Sequence, residues 1–125
     1  MPESIVLIVS GNASVRQSLK ELVESKGLHA AVFSTLQALL DSEVPQSRSC
    51  LVFQPENDTL DDPVQQARLT TACSGVRGVL ITERGNVSMA VQALKAGIRD
   101  VVQKPYGDRD LLGLIEKVLE GDLTV

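Results

Sequence analysis

Apolar residues follow two rhythms along this chain. The first is the short continuous run: Ile5-Val6-Leu7-Ile8-Val9, Cys50 to Phe53, Gly78 to Thr82 and Asp100 to Gln103. Runs rich in β-branched residues and without alternation predict strands buried on both faces, as in a parallel sheet. Leu28 to Phe33 reads as a weaker strand. The second rhythm is helical. Val15, Leu19, Leu22 and Val23 fall at i, i+4, i+7 and i+8, with Asn12 or Ser10 able to cap the start and Gly27 able to end the helix. Ser34 is placed to cap a short helix carrying Leu36, Leu39 and Leu40. Asp62-Pro63 joins a capping acid to a first-turn proline, ahead of a rather polar helix near Val64 to Cys73. Asn86 caps a helix with Val87, Ala90, Val91 and Leu94, and Gly97 closes it. The last helix runs from about Asp108 to Leu119 and buries Leu111, Leu112, Ile115, Val118 and Leu119.

Five strands alternating with five helices predict a single α/β domain: a parallel sheet, right-handed crossovers, and helices on both faces. No internal repeat, low-complexity tract or interdomain linker interrupts it. In such folds ligands and chemistry gather at the carboxyl ends of the strands. Here that edge reads Ser10, Gly11 and Asn12 after the first strand and Gln54 and Pro55 after the third. Thr82 and Glu83 follow the fourth, and Lys104 and Pro105 the fifth. A neutral amide, Gln54, therefore ends a buried strand where an α/β protein usually keeps its chemistry.

Composition narrows the function classes. At 125 residues the chain can bury a real core, and with 43% hydrophobic residues it is not a disordered segment. Aromatics are 2%, too few for the stacking platforms that hold single-stranded nucleic acid. A net charge of −4 without a basic cluster makes the chain by itself a poor match for DNA or an anionic membrane. No apolar run approaches spanning length and no secretory leader is visible, so the expected compartment is the cytoplasm. Cys50 and Cys73 lack metal-ligand spacing and read as buried reduced thiols; His29 is a lone imidazole on a weak strand. A Ser-His-Asp set, a metal cluster and a glycine-rich phosphate loop are all missing, which argues against a hydrolase or oxidoreductase. No cofactor and no metal are expected.

Two stretches carry a resemblance. They are Thr82 through Gly97 (TERGNVSMAVQALKAG) and Asp100 through Tyr106 (DVVQKPY). Together with Ile8-Val9 and Ser14-Val15-Arg16, they resemble the receiver domain of bacterial response regulators, FixJ-type subgroup, over roughly residues 4–120. The resemblance implies a CheY/flavodoxin-like, doubly wound five-stranded sheet of order 2-1-3-4-5. It also implies that residues 1–125 are one receiver-like domain, the N-terminal part of a longer regulator. Receivers accept a phosphoryl group on an aspartate ending the third strand, with an acid pair after the first strand binding Mg²⁺. Thr82 matches the family's switch hydroxyl and Lys104 its lysine, before a proline usually joined by a cis bond. Gln54 stands at the acceptor position, Ser10 and Gly11 at the acid pair, and Val101 at the usual aromatic. The chain thus resembles a degenerate receiver that signals without aspartate phosphorylation.

An amide is a far poorer nucleophile than a carboxylate, and Mg²⁺ normally takes one or two carboxylates. Two readings of Gln54 stay open in the sequence: its side-chain oxygen latches Lys104, or it simply fills the pocket. Glu56, Asp58, Asp61 and Asp62 read as a solvated loop with a helix cap, too far displaced to replace the acceptor. A small anion is the alternative occupant, held by Lys104, Thr82 and the amides of Gly11 and Asn12, against an ordinary hydrated pocket. By family likeness the fourth helix, fifth strand and fifth helix form the contact face, here Met89, Ala93, Lys95, Ala96, Arg99, Tyr106 and Arg109. The implied partner is another protein or a second copy. DNA would be met only through a C-terminal domain outside this chain.

Overall fold

The computed structural model describes residues 4–42, 49–55, 59–74 and 76–120. Glu56 and Asp58 lie outside the described residues. Five parallel strands form one sheet in the order β2-β1-β3-β4-β5. They are β1 (Ile5–Ser10), β2 (His29–Phe33), β3 (Ser49–Gln54), β4 (Arg77–Thr82) and β5 (Asp100–Gln103). The crossovers carry α1 (Ala13–Glu24), α2 (Leu36–Asp41), α3 (Pro63–Cys73) and α4 (Val87–Ala96), and α5 (Asp108–Leu119) follows β5. A 3₁₀ turn, Thr59–Asp61, precedes α3 and drives Leu60 into the core.

Alternate residues of each strand feed two cores. Leu7, Val9, Leu51, Phe53 and Leu80 meet α2, α3 and α4 on one face. Val6, Ile8, Cys50, Val52, Val79 and Ile81 meet α1 and α5 on the other. Burying both faces is why the strands read as unbroken apolar runs. The five apolar residues expected inside α5 are all buried.

Caps set the helix starts. Asn12 Oδ1 accepts from the Val15 amide at 3.1 Å, so Asn12 caps α1 and Ser10 does not. Asp62 and Asn86 cap α3 and α4 as their spacing predicts. At α2 the cap is Thr35 rather than Ser34, because the Thr35 hydroxyl is the one that reaches the Ala38 amide, at 3.0 Å. Gly97 ends α4 at φ +115°, a left-handed conformation that side chains resist.

The orientation of α4 corrects the contact face expected from the sequence. Met89, Ala93 and Ala96 are 6%, 0% and 3% exposed, packed on the sheet, and so are not contact residues. Val87, Val91 and Leu94 are 66%, 42% and 50% exposed. Two small alanines on the inner face let the helix backbone lie close to the sheet. Of the other residues expected on that face, Lys95, Arg99 and Arg109 are exposed and Tyr106 is half-buried against the α1–α5 side.

Candidate functional site

The β1 and β3 ends meet in register, with Ser10 opposite Gln54. The β4 and β5 ends do the same, Thr82 opposite Gln103, and the Lys104 amide donates to the Thr82 carbonyl at 2.9 Å. This staggered edge encloses a cavity of about 340 Å³ bordered by Ser10, Asn12, Gln54, Thr82, Glu83 and Lys104, among others. The Lys104–Pro105 peptide bond is cis.

Polar groups in the cavity are already partnered. The Asn12 amide donates to Ser10 Oγ at 3.2 Å, and Arg16 Nη1 donates to the Ser10 carbonyl at 2.8 Å. The buried Thr82 hydroxyl donates to Met89 Sδ at 3.6 Å. Lys104 Nζ lies 3.6 Å from Glu83 Oε2. Glu83 and Lys104 are the ionisable residues of the lining among the described residues. Among the described residues no hydrogen bond joins Gln54 to Lys104, so the amide latch does not form. A charged acceptor draws an ammonium more strongly than an amide oxygen does.

Five of the six residues expected at this site therefore converge: Ser10, Asn12, Gln54, Thr82 and Lys104. Gly11 does not border this cavity; it faces the neighbouring one, toward α2. The Asn12 amide and Thr82 hydroxyl of the expected anion cradle are engaged within the protein, and Lys104 lies beside a carboxylate. Glu83 as the partner of Lys104 was not foreseen. Its signal was its place directly after Thr82, just past the end of the strand that pairs with β5. Asp61 and Asp62 are exposed, and Asp62 serves as a cap. His29 is exposed at the opposite edge of the sheet.

Other titrating groups lie outside this site. Burial foremost, then the Asp100 charge, pushes the Cys50 thiol up to about 12, while Arg77 pulls slightly the other way. Burial lifts Cys73 to about 11. Tyr106 is raised by burial and then by Asp108. Among the described residues no three His, Cys, Asp or Glu side chains converge as metal ligands. No helix among them is long and apolar enough to cross a membrane.

Sequence comparison matches residues 6–116 to the family described as "Response regulator receiver domain". Nodulation protein W of Bradyrhizobium diazoefficiens is 33% identical over 123 residues, which is 96% of this chain and 53% of that protein. Response regulator protein TmoT of Ectopseudomonas mendocina is 34% identical over 121 residues, 94% of this chain and 54% of that protein. The chain thus spans about half the length of the curated relatives it matches. Among solved structures, the response regulator StyR superposes with a TM-score of 0.77 at 30% identity, over 95% of this chain and 60% of that one. The FixJ N-terminal fragment superposes with a TM-score of 0.77 at 26% identity, over the full length of both chains.

Proposed function

The chain belongs to the response regulator receiver family, and we propose that it signals as a receiver without phosphorylation of an aspartate. The observation that carries this is the side chain at the end of β3. Gln54 occupies the cavity wall beside Thr82 and Lys104, opposite Ser10, where the family's chemistry needs a carboxylate. An acyl phosphate requires a carboxylate oxygen as nucleophile. The Mg²⁺ that assists such transfer does not fit the donors present. Ser10 and Gln54 offer a hydroxyl and an amide oxygen, and Glu83, the one carboxylate among the described residues of the lining, lies beside Lys104.

Output then rests on the surface. We propose a protein-contact or self-association face on α4, β5 and α5, formed by Val87, Val91 and Leu94 with Lys95, Arg99 and Arg109 around them. The exposed apolar stripe on α4 supports it. The relatives include transcriptional regulatory proteins FixJ, of which this chain covers little more than half. On that likeness, this receiver is the N-terminal part of a transcription regulator, and DNA is contacted by a segment C-terminal to it. The reading frame beyond Val125 tests this directly, and a stop codon there would leave a stand-alone adaptor.

Incubation with acetyl phosphate and Mg²⁺, followed by intact mass, tests the central claim. No adduct is expected. A stoichiometric gain of about 80 Da, one phosphoryl group, would overturn it.

A further inference from the structure

Strand β2 is the outer strand of the sheet, paired with β1 from His29 to Phe33 without a bulge. An outer strand turns a row of backbone N–H and C=O groups away from its sheet, which is a template for one more strand. Proteins commonly blunt such an edge with lysine, proline or a bulge. The β2 sequence, HAAVF, has neither lysine nor proline. Val32 is 39% exposed, and Ala30, Ala31 and Phe33 are half-buried. Ala30 packs on the α1 side of the sheet, and Ala31 and Phe33 pack on the other. Alternation along the strand therefore puts Val32 on the α1 side with Ala30.

The helix above this edge presents a basic flank. Helix α1 covers β1 and β2, with α5 beside it over β3. Ser14 and Ser18 border a cavity with Lys104 and Tyr106, so they face the α5 side. Two residues turn a helix by about 200°, which carries Arg16 and Lys20 to the opposite flank, over β2. Both are half-buried. The helix runs antiparallel to the strand, so Arg16 lies toward the Phe33 end and Glu24 toward the His29 end. Arg16 is held at the end of β1 by its bond to the Ser10 carbonyl. We propose that the β2 edge binds an extended, β-branched segment of a partner protein, with one acid on the side that faces α1. The added strand continues the backbone ladder, its side chains cover Val32, and its acid meets Lys20 and Arg16. A second copy fits this edge less well. Two-fold pairing of β2 with β2 would set the two α1 flanks together and gather four cations, Arg16 and Lys20 of each copy. The edge lies across the sheet from the α4 stripe, so the inference stands apart from the contact face there.

The test is a titration of the ¹⁵N-labelled chain with the peptide acetyl-STVTVEVTVS-amide, followed by amide chemical shifts. Saturable shifts confined to β2 and the facing flank of α1 are expected, with a Kd of about 100 μM. The peptide with lysine in place of its acid should bind at least about tenfold more weakly. Lys20→Glu should reverse that preference. Val32→Lys should remove binding of both peptides while the chain stays folded, because the site is exposed. Absence of saturation by about 2 mM would overturn the site, and so would shifts centred on another element. Equal binding of the two peptides would overturn the acidic assignment. Equal binding of the peptide N-methylated throughout would overturn strand addition. Self-association of the free chain that Val32→Lys abolishes would replace the partner segment by a second copy.

Discussion

Rebuilding the acidic site measures what its absence does for the fold. Ser10 and Gln54 are directly opposed in the parallel β1–β3 pairing. Neighbouring strands lie about 4.8 Å apart, so carboxylates at both positions would sit at about 5 Å. At an effective dielectric of about 20 they repel by about 3 kcal/mol. That dielectric fits a pair in which Ser10 is buried and Gln54 half-buried. Each single replacement carries its own steric and desolvation cost, and a double-mutant cycle of Ser10→Asp and Gln54→Asp subtracts both. Urea unfolding with EDTA at about pH 7.5 should therefore show an unfavourable coupling of about 3 kcal/mol. Mg²⁺, which takes both carboxylates as ligands, should remove most of it.

The sign with pH follows. Repulsion raises the second carboxylate by about 2 pH units in the folded state, so the penalty is absent below about pH 4 and complete above about pH 7. Acetyl phosphate with Mg²⁺ should label the double variant and leave Gln54→Asp alone nearly unlabelled. A coupling below about 0.5 kcal/mol in EDTA would refute the electrostatic reasoning. Robust Mg²⁺-dependent labelling of the single variant would refute the claim that the first-strand position is needed for the metal.

Two further outcomes follow from burial. Replacing Val91 and Leu94 together by lysine should change unfolding free energy by no more than about 0.5 kcal/mol for each site while abolishing any self-association seen by sedimentation. Unchanged association would remove the α4 stripe from the contact face. Cys50, buried and pushed up to about 12, should resist iodoacetamide at about pH 8 until the chain unfolds, and half-buried Cys73, raised to about 11, should react more slowly than a free thiol. Because the unfolded thiols ionise first, stability should fall as pH rises above 9.0 toward those values. Rapid alkylation of Cys50 in the native protein would contradict its burial.

The strands and α5 were legible because their residues leave one solution. An unbroken β-branched run has no polar face to turn to solvent, and the α5 pattern has a single apolar side. Helix α4 was not legible in the same way. Val87, Val91 and Leu94 recur at i, i+4 and i+7, and so do Met89, Ala93 and Ala96. Periodicity assigns both stripes equally well to the core. What decides between them is how close the helix must lie to the sheet, and small residues win the inner side. The end of α4 also lies close to α3: a Cβ at Gly97 would come within 3.2 Å of the Cys73 Cβ.

The site divides along the same line. That Gln54, Ser10, Thr82 and Lys104 share one edge follows from topology, since parallel strands deliver their carboxyl ends to the same rim. Which neighbour each side chain engages does not follow. Gln54 and Glu83 were both within the sequence's view of that edge, and either offers an oxygen to Lys104. The choice turns on charge: an ammonium at the cavity rim gains more from a carboxylate, even a largely exposed one, than from an amide. Lys104, by pairing with Glu83, leaves the Gln54 amide unengaged. Gln54 is then less a lock on the old switch than a wall shared by three neighbouring cavities.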